Sequence, residues 1–374
     1  MEAPDETVLE GVFAVSKPAH VSSAHVLEKL QATFAASHTF APLLRNQPKR
    51  TSKSDDQTFK MGHGGTLDPL AAGVLIVGIG RGTKQLQKYL ACTKSYETTV
   101  LFGASTDSYD CTGVVAERAH CVHVTRTLVE AKLALFRGAI SQAPPIYSAL
   151  KIKGKKACEY ARDGQELPMQ LEKRDMHVDE CRLLDWYEPG QHEFSYPGEH
   201  EPAAAPAARI SLTVCSGFYV RSFAHDLGIA CQSRSHMATL LRTRQATYTT
   251  HDSSNSTDLT TAITYGDLEA GEEVWGPKIR PQLEAWVLSN PFVTGHVNGR
   301  SEEAKQRKAA EHSERPKQRF RGGYVADTKK ERIKQQGGKY KGKWSRKPDA
   351  GGPVQDTTAK RIEEPIGNTT IQLQ

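Results

Sequence analysis

Residues 62–84 read GHGGTLDPLAAGVLIVGIGRGTK, a glycine-rich turn that leads into an apolar strand. The run from Gly73 to Ile79 is continuously apolar and therefore predicts a buried strand. Ahead of it, three glycines precede Asp68, and Pro69 biases that aspartate towards an extended backbone. The pattern predicts a turn at 62–65 and a carboxylate that is displayed to a ligand. From the residues alone, Asp68 could be a nucleophile, a general base, a metal ligand or an ordinary turn residue.

The glycines at the end of this stretch do not form a nucleotide-binding loop. Thr83-Lys84 reverses the residue order of a P-loop, and no G-x-x-x-x-G-K-[ST] frame is present. The G-x-G-x-x-G frame that starts at Gly78 fails as well, because Thr83 occupies its last position. A nucleotide cofactor is therefore not expected here.

Strands and helices alternate along the rest of the chain, which predicts an α+β domain running to about residue 295. Apolar periodicity predicts strands at 11–15, 73–79, 96–102 and 210–214, and helices after Ser22-Ser23 and at 125–136. The first ten residues read as a flexible lead. We also predict a polar, basic surface insertion at 35–60 and a long Pro/Gly/Ala-rich loop at 187–208.

The net charge of +6 is concentrated in the last part of the 374-residue chain. Residues 300–374 carry 19 Lys+Arg and 10 Asp+Glu, which leaves 30 Lys+Arg and 33 Asp+Glu for residues 1–299. Residues 296–374 also lack apolar periodicity, so we predict a basic, disordered tail. A polyanion such as RNA would have to bind the globular part through a local basic surface.

Composition further indicates an intracellular protein that needs no metal. The seven cysteines are scattered, with no C-x-x-C pair and no Cys/His cluster at zinc spacing. The start, MEAPDETVLEG, lacks the basic end and apolar core of a signal peptide, and no apolar run approaches the roughly 20 residues of a membrane span. We expect residence in the nucleus, the mitochondrion or the cytoplasm.

The stretch GHGGTLDPLAAGVLIVGIGRGTK resembles the signature of the TruB family of tRNA pseudouridine synthases. Further segments resemble the family in the same order: Lys17-Pro18 with Ser22-Ser23, Tyr96 in KSYETTV, PPIYSALKIKGKKACEYAR from Pro144 to Arg162, SGFYVRS, and Leu241-Arg242. Together they cover roughly residues 11–250. Eukaryotic stand-alone members, fungal ones especially, are the most similar, because the M-G-H-G-G-T-L-D-P form follows a basic insertion.

The resemblance implies a mixed, mainly antiparallel sheet with flanking helices and a catalytic cleft. It implies that Asp68 is the catalytic carboxylate and nucleophile, that Arg221 pairs with it, and that Tyr96 stacks on the uracil. Tyr219 would lie on the same strand face as Arg221 and line the pocket. The reaction only isomerises uridine to pseudouridine, so no cofactor is expected.

By the same resemblance the substrate is tRNA, at the uridine of the TΨC loop, position 55. His63 would fill the gap that the extruded base leaves, and Lys17, Lys84, Lys151 and Arg242 would contact phosphates. For each of these cations, solvated surface charge is the alternative. The sequence leaves open whether messenger RNA is also modified, and it gives no sign of an obligate protein partner or of membrane binding.

The chain departs from the family at its C-terminal end. Many relatives carry a PUA domain that grips the tRNA acceptor end, whereas residues 300–374 are too polar to form one. The basic tail could replace those contacts or could act in solubility or nuclear import. Two rival functions remain at this point: a guide-RNA-dependent synthase of the H/ACA type, which shares T-L-D-P, and a non-catalytic RNA-binding or RNA-folding protein.

Overall fold

A mixed ten-stranded sheet carries the fold in the computed structural model, which describes residues 7–46, 59–251 and 259–291. Two small hairpins, β5–β6 and β8–β9, lie outside this sheet. The strands of the sheet and the hairpins are β1 Gly11–Lys17, β2 Met61–His63, β3 Ala72–Ile79, β4 Lys94–Phe102, β5 Ala104–Thr106, β6 Val115–Arg118, β7 Gly138–Gln142, β8 Lys151–Ile152, β9 Lys155–Lys156, β10 Arg174–Tyr187, β11 Ala207–Val214, β12 Ser235–Gln245, β13 Tyr248–Thr249 and β14 Thr260–Thr261. The helices are α1 Ser23–Ala35, α2 Ala41–Asn46, α3 Leu86–Ala91, α4 Arg126–Leu133, α5 Ala157–Arg162, α6 Val220–Ala230, α7 Tyr265–Glu269 and α8 Glu272–Ser289.

The main path of the sheet runs β1-β3-β12-β4-β11-β10-β7. Every neighbouring pair on this path is antiparallel except β3 and β12, which are parallel. This confirms the predicted α+β class with a mixed, mainly antiparallel sheet. The parallel pair has a direct consequence for the site, since it places Arg242 of β12 opposite Gly73, at the start of the strand that follows Asp68.

Two apolar cores hold the sheet to its helices. The first lies under α4 and α6 and includes Val100, Ile210, Leu212 and Phe223. The second lies between β1, β3 and the helices α1 and α8, and includes Phe13 and Trp275. Alternate residues of β1 and β3 point to opposite faces, so Val12 and Val74 enter a third, smaller cluster.

Helix α1 begins as predicted, because the side chain of Ser22 accepts a hydrogen bond from the backbone N–H of His25 at 3.1 Å.

The predicted surface insertion at 35–60 is wrong for its first part. Residues 41–46 form α2, and Phe40 and Leu43 are buried in the second core. Phe40 stacks on Phe34 with ring centroids 4.5 Å apart, and the carboxylate of Glu272 accepts hydrogen bonds from the backbone of this segment. The apolar residues here follow no helical or strand period, so the sequence did not reveal their burial. Residues 47–58 lie outside the described part of the chain.

The predicted loop at 187–208 is shorter, because β10 extends to Tyr187 and β11 begins at Ala207. The connection is also anchored to the sheet. The Tyr196 hydroxyl donates to the Phe102 carbonyl at 2.8 Å, and Ala203 and Ala205 are buried beside Leu101.

The predicted tail from residue 296 lies outside the described residues. Within the described ranges, no helix is long and apolar enough to cross a membrane.

Candidate active site

Asp68 lies in a short loop between β2 and β3, and its backbone is anchored by buried neighbours. Ser23 bonds Leu67 in both directions, donating to the carbonyl at 3.2 Å and accepting from the backbone N–H at 3.1 Å. Leu67 and Leu70 are buried on either side. The Asp68 side chain is 34% exposed, so the loop is fixed while its carboxylate faces outward. The predicted turn at 62–65 is partly strand, because Met61–His63 pairs with β3.

Arg221 binds the Asp68 carboxylate through two nitrogens of its guanidinium. Its Nε donates to Oδ2 at 2.8 Å and its Nη2 donates to Oδ1 at 3.2 Å. The arginine side chain is only 7% exposed, so solvent screens this pair weakly. A bidentate pair of this kind fixes the plane of the carboxylate. The exposed part of the Asp68 carboxylate is therefore held in one orientation.

Arg221 lies in the first turn of α6, not at the end of a strand. Tyr219 is the residue just before that helix, so the predicted shared strand face with Arg221 is wrong. The peptide of Tyr219 is instead bound by the side-chain amide of Gln142, which donates to its carbonyl at 3.0 Å and accepts from its N–H at 2.8 Å. This pairing holds the start of α6, and so Arg221, against strand β7.

A second carboxylate that the sequence did not reveal lies behind Arg221. Asp110 is buried, with its Oδ2 3.7 Å from Arg221 Nε, and its Oδ1 accepts from Ser108 and Thr112. Arg221 also donates to the carbonyls of Ser108 at 3.2 Å and Tyr147 at 2.8 Å. The guanidinium is thus held from three segments. The TDSYDCT segment reads as an ordinary turn, and only the fold brings it to Asp68.

Tyr96 of β4 is buried in the first core together with Leu67 and Leu70. Strand register places it opposite Arg242. Burial raises the pKa of the Tyr96 phenol, the Arg242 charge offsets part of that rise, and the Asp68 carboxylate adds to it. The ring is therefore an uncharged phenol at neutral pH, close beneath the loop that carries Asp68.

Lys17 and Arg242 are not placed to contact a phosphate, which corrects the prediction made for both. Lys17 is buried and its ammonium donates to the carbonyls of Pro18, Val21 and Pro69. Arg242 is buried and donates to the carbonyls of Val74 and Gly65. Both cations are used to hold the backbone on either side of Asp68. Burial lowers the pKa of Lys17 to about 8, which leaves it charged at pH 7.

Lys17→Met should destabilise the fold, because it removes the donors of three backbone carbonyls and keeps the apolar stem. Each unsatisfied buried group costs about 1–3 kcal/mol, and we expect a loss of roughly 2–4 kcal/mol in the free energy of unfolding. Urea denaturation of both proteins measures it. Lys84→Met, at an exposed position, is the matched control, and equal midpoints for the two variants would contradict this role of Lys17.

The remaining predicted RNA contacts are His63, Lys84 and Lys151. His63 ends β2 and is half-buried, with its Nδ1 buried and without a hydrogen-bond partner in the described structure. Burial lowers the pKa of His63 and the charge of Arg242 lowers it further, so the ring is neutral at pH 7. Lys84 and Lys151 are exposed, on the turn after β3 and on the β8–β9 hairpin. The described residues include no group of three or more His, Cys, Asp or Glu side chains that could hold a metal ion.

Comparison with known proteins assigns this arrangement to a family. Residues 50–219 match the family described as TruB family pseudouridylate synthase (N terminal domain). tRNA pseudouridine synthase 4 of Schizosaccharomyces pombe is 34% identical over 327 residues, 65% of this chain and 80% of that protein. tRNA pseudouridine synthase B of Bacteroides thetaiotaomicron is 40% identical over 185 residues, 50% of this chain and 71% of that protein.

A solved structure, of a Cbf5-Nop10-Gar1 complex, is similar with a TM-score of 0.44 and 21% identity, covering 72% of this chain and 60% of that one. The assignment rests on the sequence relatives, of which the chain covers most of the length. The chain belongs to the TruB family of pseudouridine synthases.

Proposed function

We propose that this pseudouridine synthase isomerises the uridine at position 55, in the TΨC loop of tRNA, with Asp68 as its catalytic carboxylate. The observation that carries the proposal is the partly exposed carboxylate of Asp68, held in one orientation by the buried guanidinium of Arg221. The names of the relatives from Schizosaccharomyces pombe and Bacteroides thetaiotaomicron support tRNA as the substrate.

The reaction breaks the bond between ribose C1′ and uracil N1 and forms a bond between C1′ and C5. The base must turn over between the two steps, the proton on C5 must leave, and N1 must gain a proton, so atoms and charge balance without a redox partner. A carboxylate can form or stabilise the covalent intermediate that such a detachment requires. Asp68 fits this role because the bidentate pair with Arg221 fixes the direction of its carboxylate, so little reorganisation is needed during the reaction.

Tyr96 and Arg242 would form the floor of the uracil pocket. A neutral phenol, which the raised pKa of Tyr96 favours, can stack on a base that has been extruded from the RNA. It is a weak proton acceptor in that state, so a positioning role fits Tyr96 better than removal of the C5 proton. His63, on the strand leading into the loop and neutral at pH 7, would occupy the position that the extruded base leaves in the RNA stack.

Lys84 and Lys151 remain as candidate phosphate contacts on the exposed surface. We expect Lys84→Gln and Lys151→Gln each to weaken tRNA affinity several-fold at low salt, because each contact releases about one counterion. The salt dependence of the dissociation constant should flatten by about one unit per contact, while the single-turnover rate at saturating enzyme stays near that of the wild type. An unchanged salt slope would reject a phosphate role for the lysine concerned.

We further propose that the chain acts without a guide RNA or an obligate protein partner, in one or more of the compartments that contain tRNA. Messenger RNA with a similar unpaired uridine is a second candidate substrate, because the site recognises one extruded base. The purified protein should be incubated with an unmodified tRNA transcript alone, and pseudouridine should be mapped by chemical labelling and primer extension. Pseudouridine at position 55 is the expected result. Modification only after a guide RNA is added would support the H/ACA-type alternative.

A further inference from the structure

Tyr109, in the TDSYDCT segment, has a backbone conformation that a tyrosine rarely adopts. Its φ is +64°, in the left-handed region, where a bulky side chain is strained. Such a conformation persists only when the surrounding contacts impose it. Here the backbone N–H of Tyr109 donates to the Thr106 carbonyl at 3.2 Å, and its carbonyl accepts from the Met237 N–H of β12 at 3.0 Å. These contacts hold the strained turn in place.

The side chain of Tyr109 stacks on His225 of α6. The ring centroids are 4.0 Å apart and the ring planes differ by 14°, which is a close face-to-face contact. Burial raises the pKa of the Tyr109 phenol and lowers the pKa of the His225 ring, so both rings are uncharged at pH 7. His225 Nδ1 is buried and has no hydrogen-bond partner in the described structure. Ring contact, rather than a hydrogen bond at Nδ1, therefore positions the imidazole.

His225 lies one helical turn after Arg221. Residues four positions apart on an α-helix share one face, so Arg221 and His225 are neighbours on α6. The TDSYDCT segment contacts both of them, because the Ser108 carbonyl accepts from Arg221 Nη1 at 3.2 Å and the Tyr109 ring stacks on His225. Two consecutive residues of one segment thus bind two consecutive turns of one helix. The stack therefore fixes where the segment lies along α6, and with it the place of the Ser108 carbonyl.

The stack can act on the reaction through Arg221. Of the described residues, only Arg221 hydrogen-bonds the Asp68 carboxylate. The guanidinium offers its donors in a fixed planar geometry, so each acceptor that is held in place helps to set the plane of the whole group. Ser108 supplies one of these acceptors, and Tyr109 is the residue that follows it.

We propose that Tyr109 and His225 are positioning residues for the isomerisation, and that their stack holds the TDSYDCT segment against α6 and so fixes the direction in which Arg221 presents Asp68. Neither ring has to touch the RNA. Loss of the stack would let the segment shift along the helix, and an error of about 1 Å in an active site can cost about 100-fold in rate. The inference rests on the proposed function, because the stack acts through Asp68 as the catalytic carboxylate.

The test measures single-turnover tritium release, at saturating enzyme, from a tRNA transcript labelled at uridine C5. Tyr109→Asn removes the ring without adding strain, since asparagine adopts a left-handed φ more readily than tyrosine. His225→Ala removes the other ring, so the stack is tested from both sides even if one variant folds poorly. We expect each variant to lower the rate about tenfold, with tRNA affinity within about twofold of the wild type. Tyr109→Phe keeps the ring and should keep the rate within about twofold.

A second measurement separates positioning from a purely structural role. If the stack acts through the guanidinium, Tyr109→Asn should slow Arg221→Lys by less than about a further twofold, because the geometry it protects is already lost. Tyr196→Leu is the matched control. Tyr196 also anchors a connection, through its hydrogen bond to the Phe102 carbonyl, so this variant should lose stability but keep its rate well below the unfolding transition.

Rates within about twofold of the wild type for both Tyr109→Asn and His225→Ala would overturn the proposal. A full tenfold loss on adding Tyr109→Asn to Arg221→Lys would overturn it as well, and so would equal losses for Tyr109→Phe and Tyr109→Asn. Absence of tritium release by the wild type would instead overturn the proposed function, and this inference with it.

Discussion

Asp68→Asn should lower the single-turnover rate by a factor of at least about 10⁴, with tRNA affinity within about threefold of the wild type. The substitution keeps the size of the side chain and one oxygen, but the amide cannot act as a nucleophile and gives Arg221 no charge to pair with. Removing the covalent catalyst of an enzyme commonly costs several orders of magnitude. We expect binding to survive, because the proposed phosphate contacts and pocket floor do not depend on this carboxylate.

Asp185→Asn is the matched control for this variant. Asp185 also accepts from an arginine, Arg209, at 2.8 Å, but the side chains of this pair are 47% and 42% exposed, so solvent screens it. Exposed pairs contribute at most about 1 kcal/mol to stability. We therefore expect a normal rate and nearly normal stability for Asp185→Asn, so a loss seen only in Asp68→Asn reports the chemistry of the site.

Arg221→Lys should lower the single-turnover rate by about 10²–10³-fold, although the positive charge is kept. A lysine cannot bind both oxygens of Asp68 and at the same time donate to the carbonyls of Ser108 and Tyr147. The carboxylate would keep a cation nearby but would lose its fixed plane, and small errors in position are costly in catalysis. Single-turnover kinetics at saturating enzyme measure the loss directly.

Part of the effect of Arg221→Lys will fall on stability, because the arginine is buried beside Asp110. Thermal unfolding should be recorded in parallel, and the assay should be run well below the unfolding transition. Arg209→Lys, which also changes an arginine that binds two carboxylates, is the control and should retain activity. A rate for Arg221→Lys within threefold of the wild type would show that the bidentate geometry is unimportant.

Much of the fold could be predicted because its elements carry strong local patterns. The continuous apolar run predicts β3, the alternation of apolar and polar residues predicts β11, and the serine cap with its following apolar face predicts α1. The first turn of α6 was harder to predict from the sequence. SGFYVRS has aromatic and β-branched residues that favour a strand, and tertiary contacts with Gln142 decide that Val220 begins a helix.

The site was predictable where its chemistry depends on a dense local motif and not where it depends on burial. Asp68 stands out because of the glycines and the proline around it. Lys17 and Arg242 are basic residues that sequence reasoning places on the surface, since cations are rarely buried. In the fold each finds backbone carbonyls that compensate its desolvation. One of them in each case belongs to the loop around Asp68, Pro69 for Lys17 and Gly65 for Arg242. Asp110 was missed for a different reason, because its partner Arg221 is 111 residues away in the sequence.

The most direct test of the account is tritium release from an unmodified tRNA transcript labelled at uridine C5, with purified wild type and Asp68→Asn measured side by side. The wild type should release tritium without a guide RNA, and Asp68→Asn should release none above background while binding the transcript as tightly. Tritium release by Asp68→Asn at a rate within tenfold of the wild type would contradict the role of Asp68 as the catalytic carboxylate.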